Sequence, residues 1–271
     1  MADPTRPRGR PRLDPEKPDT NTVQALDRAL ALLELIAQNP AKSLSELTEI
    51  LDLPVATVFR ALVTLQGRGM VEQDQATQVW HIGSGAFRIG NAFLRRSGIV
   101  ERARQPMERL MRDTGETISL GILQSGQALI LAQVETLAPV RTFFPAGSAL
   151  PLHASALGKA LLAWQDEAEI DEIITQQGLA RQTSLSLSSP ESLMRDLART
   201  QARGFALDDQ EQAEGMRAVA APVFNAFGAP VAAIALTGPA IRLGLSDATR
   251  FGALVRAAAD RVTLATGGTA P

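Results

Sequence analysis

The stretch SLSELTEILDLPVATVFRALVTLQGRG, from Ser43 to Gly69, decides how this chain is read. Ser43-Leu44-Ser45-Glu46 has the form of a capping box, in which the serine hydroxyl and the glutamate three residues on satisfy each other's free backbone donors. It opens a short helix carrying Leu44, Leu47 and Leu51. Asp52-Leu53-Pro54 interrupts it, because proline is excluded from a helix interior. A further helix then carries Val55, Val58, Leu62 and Leu65 on its apolar face and ends at Gly67-Arg68-Gly69. Upstream, Val23, Leu26, Leu30, Leu33 and Ala37 recur at spacings of three and four, which predicts a helix that buries this face and stops at Asn39-Pro40. Downstream, Met70-Val71 and Val79-Trp80-His81-Ile82 flank a polar segment and form a hairpin. Three helices followed by a hairpin make a winged helix-turn-helix over residues 22–83.

The chain on either side differs in composition. Five of the sixteen prolines (Pro4, Pro7, Pro11, Pro15, Pro18) fall in the first eighteen residues, together with Arg6, Arg8, Arg10, Arg12 and Lys17. Proline fixes φ and removes donors, so residues 1–21 read as a disordered basic arm. Residues 84–98 are apolar at helical spacing (Phe87, Gly90, Phe93, Leu94), as a linker helix that packs on a partner would be. From residue 99 onward, helical patterns at 99–114, 155–165, 167–177, 190–203 and 247–265 mix with strand patterns at 118–122, 128–134, 218–224 and 231–237. The fold class is therefore α+β, with an α/β C-terminal domain over 99–271. The length of 271 residues, about 1.8 times a ~150-residue domain, agrees with two domains.

Composition narrows the chemistry. The chain has no cysteine, which excludes disulfides, thiol catalysis and cysteine zinc sites, and only two histidines. No apolar run approaches ~18 residues, so the expectation is a soluble, cytoplasmic protein without a membrane partner. The net charge of −2 argues at first against nucleic acid. Residues 1–97 hold twelve Lys/Arg and eleven Asp/Glu (+1), however, against fifteen and eighteen (−3) for the remainder. The average hides unlike parts. Gly83-Ser84-Gly85 lacks the third glycine of a dinucleotide fingerprint. Gly158-Lys159-Ala160 lacks the Ser/Thr and the upstream glycine of a P-loop. No nucleophile elbow surrounds Ser155. No catalytic residue, cofactor or metal ligand is expected.

Several stretches in order resemble the IclR family of bacterial transcription regulators: Val23 to Leu30, Leu53 to Leu62, Leu150-Pro151-Leu152-His153-Ala154-Ser155-Ala156-Leu157-Gly158-Lys159-Ala160, Arg203-Gly204-Phe205 with Asp208-Asp209 and Gly215-Met216-Arg217, and Ala220-Ala221-Pro222-Val223. The resemblance implies a winged helix-turn-helix, a linker helix and a GAF/PAS-like effector domain. It also implies a homodimer or dimer of dimers (a homotetramer) on operator DNA, acting as repressor or activator. On the recognition helix, Ala56, Thr57, Arg60 and Thr64 face away from the apolar stripe, and arginine and threonine can hold bases or phosphates. In the arm, Pro7-Arg8-Gly9-Arg10-Pro11 resembles an AT-hook core, in which Arg8 and Arg10 would enter a narrow minor groove.

The resemblance places effector contacts at Ala156 and Leu157 (backbone amides), Asp208, Ala218, Ala235 and Thr237. Ser155 suits a helix cap there, and free N–H groups at a helix start favour a carboxylate. Asp208 would repel a bound anion unless it were protonated or met a hydroxyl or hydrate of the ligand. Ala218 stands where the family usually has cysteine and Ala235 where it has serine. The expected effector is a small carboxylic acid, a 2-oxo acid such as glyoxylate, with an aromatic acid as the alternative. A small-acid-binding enzyme using Asp208 and His153, with the winged helix as an interaction module, is the alternative from another class.

Overall fold

The computed structural model describes residues 22–139 and 144–271, with the backbone alone for 94–97. The arm, including Arg8 and Arg10, lies outside the described residues. The chain divides into two compact units between Phe93 and Leu94.

The first unit runs α1 (Gln24–Gln38), β1 (Lys42–Ser43), α2 (Leu44–Leu51), α3 (Val55–Gly67), β2 (Val71–Gln73) and β3 (Val79–Ile82), followed by α4 (Ser84–Ser97), which crosses into the second unit. The capping box forms as the sequence predicts. The Ser43 N–H donates to Glu46 Oε2 at 2.9 Å, and the Glu46 N–H donates to Ser43 Oγ at 3.4 Å. The Ser43 backbone bond, then Lys42 at 2.9 Å, pull the exposed Glu46 carboxyl down to about 2. α2 ends on left-handed Asp52, and the Pro54 carbonyl accepts the first free N–H groups of α3, from Thr57 and Val58. The hairpin closes a small antiparallel sheet in the order β1-β3-β2. Leu32, Ile36, Leu47, Val58, Leu62, Val71 and Trp80 fill the core.

Two expectations about buried faces need correction. In α1 the buried residues are Leu32 and Ile36, with Leu33 and Leu35 half-buried. Val23, Leu26 and Leu30 are exposed, at 66%, 58% and 48%. The helix carries two apolar stripes, and the spacing alone could not show which one meets α2 and α3. Val55 is likewise exposed, at the first turn of α3, before that helix reaches the core.

The second unit contains α5 (Ile99–Thr114), β4 (Thr117–Gln124), β5 (Gln127–Val134), β6 (Ala149–Pro151), α6 (Ala156–Leu162), α7 (Glu167–Gln177), α8 (Pro190–Arg203), β7 (Ala206–Asp209), β8 (Met216–Phe224), β9 (Pro230–Pro239) and α9 (Ala248–Ala265). The strands form one antiparallel sheet in the order β6-β5-β4-β9-β8-β7. Strand side chains alternate between the two faces. Ile118, Leu120, Val219, Ala221, Ile234 and Leu236 therefore meet α5 and α9 through Met107, Leu110, Val255, Ala259 and Val262. Ala218, Ala220, Ala233 and Ala235 point the other way, toward Ala156, Leu157, Ala160 and Leu161 of α6. The alanines and Gly121 let α6 lie close, since a Cβ on Gly121 would collide with the Leu157 side chain. The short strands β1, β6 and β7 were not expected from sequence. Each has two to four residues, too few to show an alternation.

Candidate functional site

α6 starts where Ser155 ends a non-helical segment. Its Oγ accepts from the Gly158 N–H at 3.1 Å and donates to the Pro151 carbonyl at 2.6 Å, so the cap is also tied to the end of β6. Gly158 is required next, because a Cβ there would run into the Leu152 backbone. The first turn of α6 is thus pressed against the sheet.

Strand register supplies the floor beneath it. Asp208 pairs with Ala218, and Ala218 with Thr237, across β7, β8 and β9. One step along, Ala220 pairs with Ala235, and Ala235 with Ser119, across β8, β9 and β4. A side-chain period of two puts both rows on the face under α6. All six sequence-derived effector positions, Ala156, Leu157, Asp208, Ala218, Ala235 and Thr237, consequently line one cavity. Its atom-free space is about 480 Å³, part of it open to solvent. Sequence reasoning missed Ser119 and Gln212, which also line it. Ser119 was legible only through register. Gln212 lies in the turn after β7 and carries no periodic signal.

The electrostatics of that turn are unusual. Asp208 is 5% exposed, and its Oδ1 accepts from the N–H groups of Glu211 at 2.7 Å and Gln212 at 3.3 Å. Burial and then the Glu211 carboxylate push Asp208 up to about 7, against these bonds and the Lys159 charge. Lys159 is fully buried behind the cavity. Its ammonium donates to Glu211 Oε1 at 2.7 Å, Glu211 Oε2 at 2.8 Å and the Leu207 carbonyl at 2.5 Å. Asp196 Oδ2 of α8 lies 2.9 Å from Nζ, although no N–H is aligned on it. Burial raises Glu211 as well. One lysine thereby ties α6, α8 and the turn that presents Asp208. Beyond a lysine in an apolar helix, no sequence pattern signals this cluster. Arg217 also lines the cavity, but its guanidinium is committed to Asp209 at 2.6 and 2.8 Å and to the carbonyls of Ala240 and Leu243.

His153 does not join this site. Its Nε2 is 2.9 Å from the Ala180 carbonyl, and it lines a separate cavity with Leu152, Ile173 and Leu179. The Asp208–His153 pair that an enzymatic reading requires is therefore not brought together. Of the pair Phe143-Phe144, two adjacent aromatics that the sequence marks as core or pocket wall, Phe144 lines the cavity under α6 and Phe143 lies outside the described residues. Among those described, no group of three or more His, Asp or Glu side chains could hold a metal, and no single helix is long and apolar enough to cross a membrane.

In the first unit, Ala56, Arg60 and Thr64 are exposed and Thr57 half-buried on one side of α3, opposite Val58 and Leu62. Arg60 Nε donates to the Ala56 carbonyl at 3.2 Å, and the Thr64 hydroxyl donates to the Arg60 carbonyl at 2.8 Å. Thr57, Arg60 and Thr64 line an open groove with Arg28 and the start of α1.

A winged helix-turn-helix followed by an α/β domain with a partly open cavity is the architecture of ligand-responsive DNA-binding regulators. The comparisons make this specific. The IclR helix-turn-helix domain matches residues 25–75, and the IclR C-terminal domain of bacterial transcriptional regulators matches residues 91–264. The chain belongs to the IclR family. It is 47% identical over 248 residues to the HTH-type transcriptional regulator BhcR of Paracoccus denitrificans, covering 90% of this chain and 88% of that protein. It is 39% identical to the transcriptional repressor IclR of Escherichia coli, covering 96% of each. The crystal structure of Thermotoga maritima IclR superposes with a TM-score of 0.75 at 26% identity, covering 91% of this chain and all of that one. The chain is an IclR-type DNA-binding transcriptional regulator, of a family whose members bind operator DNA and small-molecule effectors.

Proposed function

We propose that this regulator controls a metabolic operon in the cytoplasm by binding operator DNA as a dimer or dimer of dimers and releasing or engaging it when a small 2-oxo acid, such as glyoxylate, occupies the cavity under α6. The convergence of Ala156, Leu157, Asp208, Ala218, Ala235 and Thr237 on one confined cavity carries this reading. The confined, partly open space under α6 suits a small organic acid. The high pKa of Asp208 removes part of the repulsion that a bound carboxylate would meet. In the DNA-binding unit, Arg60 with Ala56, Thr57 and Thr64 read the operator, and the hairpin is the wing. Arg8 and Arg10 of the arm add minor-groove contacts beside each half-site. A symmetric assembly doubles the few base pairs that one small reading head can contact. The exposed apolar residues Phe87, Ile89 and Phe93 of α4 offer a surface for pairing with a second copy.

The test is a thermal-shift screen against small organic acids, followed by operator binding with any hit. A ligand that stabilises the protein equally with and without DNA, and leaves operator affinity unchanged, overturns the effector reading.

A further inference from the structure

Gln212 lines the effector cavity, and its amide oxygen is shielded from solvent with no hydrogen-bond partner among the described residues. Buried acceptors are rarely left in this state, because the loss of water is then uncompensated. None of the donors lining the cavity, the Ser119 and Thr237 hydroxyls included, is hydrogen-bonded to Gln212 Oε1. Asp208 already accepts two backbone N–H bonds on Oδ1, Ser155 donates its hydroxyl to Pro151, and the Arg217 guanidinium is held by Asp209 and two carbonyls. Ala218 and Ala235 on the floor carry no donor at all. Gln212 Oε1 is therefore a shielded acceptor that a ligand reaching it must meet with a donor, while the Ala156 and Leu157 N–H groups and the Thr237 hydroxyl remain for its carboxylate.

That requirement separates acids of nearly equal size. A 2-oxo acid in its keto form presents a carboxylate and a carbonyl, acceptors only. Its hydrate presents two geminal hydroxyls, and a 2-hydroxy acid presents one. We infer that Gln212 is a specificity-determining residue of the effector site, and that with Asp208 it selects ligands bearing a hydroxyl beside the carboxylate: a 2-hydroxy acid, or a 2-oxo acid bound as its hydrate. One hydroxyl donates to Gln212 Oε1, and in the hydrate the second meets the Asp208 carboxyl. An aldehyde next to a carboxylate is largely hydrated in water, whereas the ketone of pyruvate is much less so. The site should thus favour glyoxylate and glycolate over pyruvate. This inference rests on the reading of the cavity as the effector site.

The experiment measures binding of glycolate, glyoxylate and pyruvate to the full-length protein by calorimetry, for the wild type and for Gln212→Leu. Carbon-13 NMR of labelled glyoxylate on the wild type provides a second readout. The expected result is glycolate and glyoxylate binding about tenfold or more tighter than pyruvate, the effect of one satisfied buried hydrogen bond. Gln212→Leu should bring the three affinities to within about a factor of two of one another, chiefly by weakening glycolate and glyoxylate, and in the wild type the bound carbon of glyoxylate should resonate as a tetrahedral diol. Pyruvate binding as tightly as glycolate, a carbonyl signal for bound glyoxylate, or an equal loss for all three acids in Gln212→Leu overturns this inference alone. If none of the three acids binds, the proposed function falls and the inference with it. The wild-type ligand series and the NMR signal decide the question even if Gln212→Leu folds poorly.

Discussion

Asp208 offers the sharpest test of the physical account. A carboxyl raised from 3.8 to about 7 in the native state makes that state the better proton binder over the interval between the two values. Its contribution to stability is therefore fully present below the unfolded value and is lost as pH rises toward the folded one. This is the reverse of an aspartate in an ion pair. From about pH 5 to about pH 8 the native state should lose roughly 2–3 kcal/mol from this group alone, at about 1.4 kcal/mol per pH unit of differential titration. For a domain of this size that corresponds to a drop in Tm of roughly 5–10 °C. Trp164, packed edge-on against Phe224 at 5.4 Å, reports unfolding of this domain by fluorescence, and a Trp80→Phe background removes the other tryptophan. Asp208→Asn keeps an oxygen for the Glu211 and Gln212 amides but cannot ionise. The variant should show a pH slope flatter than wild type by that amount, with any residual slope of the same sign arising from Glu211, which burial also raises. Identical slopes for the two proteins would mean that Asp208 is ionised throughout, and the desolvation argument would be refuted.

Other perturbations address other parts of the molecule. Lys159→Met should cost about 3–5 kcal/mol in urea denaturation, because it strands the Glu211 and Asp196 carboxylates, and adding Glu211→Gln should recover part of that; a cost near zero would contradict the buried ion cluster. Leu62→Ala, at a fully buried site in the helix-turn-helix core, should cost about 2–5 kcal/mol and unfold the first unit at lower temperature, with the effector domain unaffected. Arg60→Ala should weaken operator binding by about 1–3 kcal/mol in a gel-shift titration, without a change in Tm, since the side chain is exposed. Deleting residues 2–12 removes four arginines and should lower the slope of log affinity against log salt by about two to four; an unchanged slope rules out a DNA role for the arm.

The parts of the fold that were legible in the sequence are those fixed by local chemistry. The capping box at Ser43 and Glu46, the Pro54 break and the glycines at 67 and 69 mark helix ends through the backbone groups they satisfy or remove, whatever packs around them. Long-range pairing is different. α1 carries apolar residues on two sides, and only the presence of α2 and α3 selects Leu32 and Ile36 over Leu26 and Leu30. The effector positions were reached through the IclR resemblance, because small apolar residues such as Ala218 and Ala235 read as ordinary core when taken singly. Strand register explains why they belong together. Lys159 entered only within the IclR-like stretch and as part of an incomplete P-loop, with no role of its own, and Gln212 not at all. Both owe their meaning to groups 37 or more residues distant or to a turn, neither of which leaves a periodic trace.

The floor of the cavity under α6 is built across β7, β8 and β9, and β8 and β9 are interior strands whose opposite face is locked by α5 and α9. Side chains at 218, 235 and 237 can therefore be exchanged without touching that opposite face, provided they stay small enough for α6 to lie close, while the α6 cap and the Lys159 cluster hold the frame from the other side. Ligand preference and structural integrity are to that extent separable variables. A library confined to positions 212, 218, 235 and 237 becomes a small, tractable space for retuning this regulator as a metabolite biosensor, with the promoter-facing half carried over unchanged.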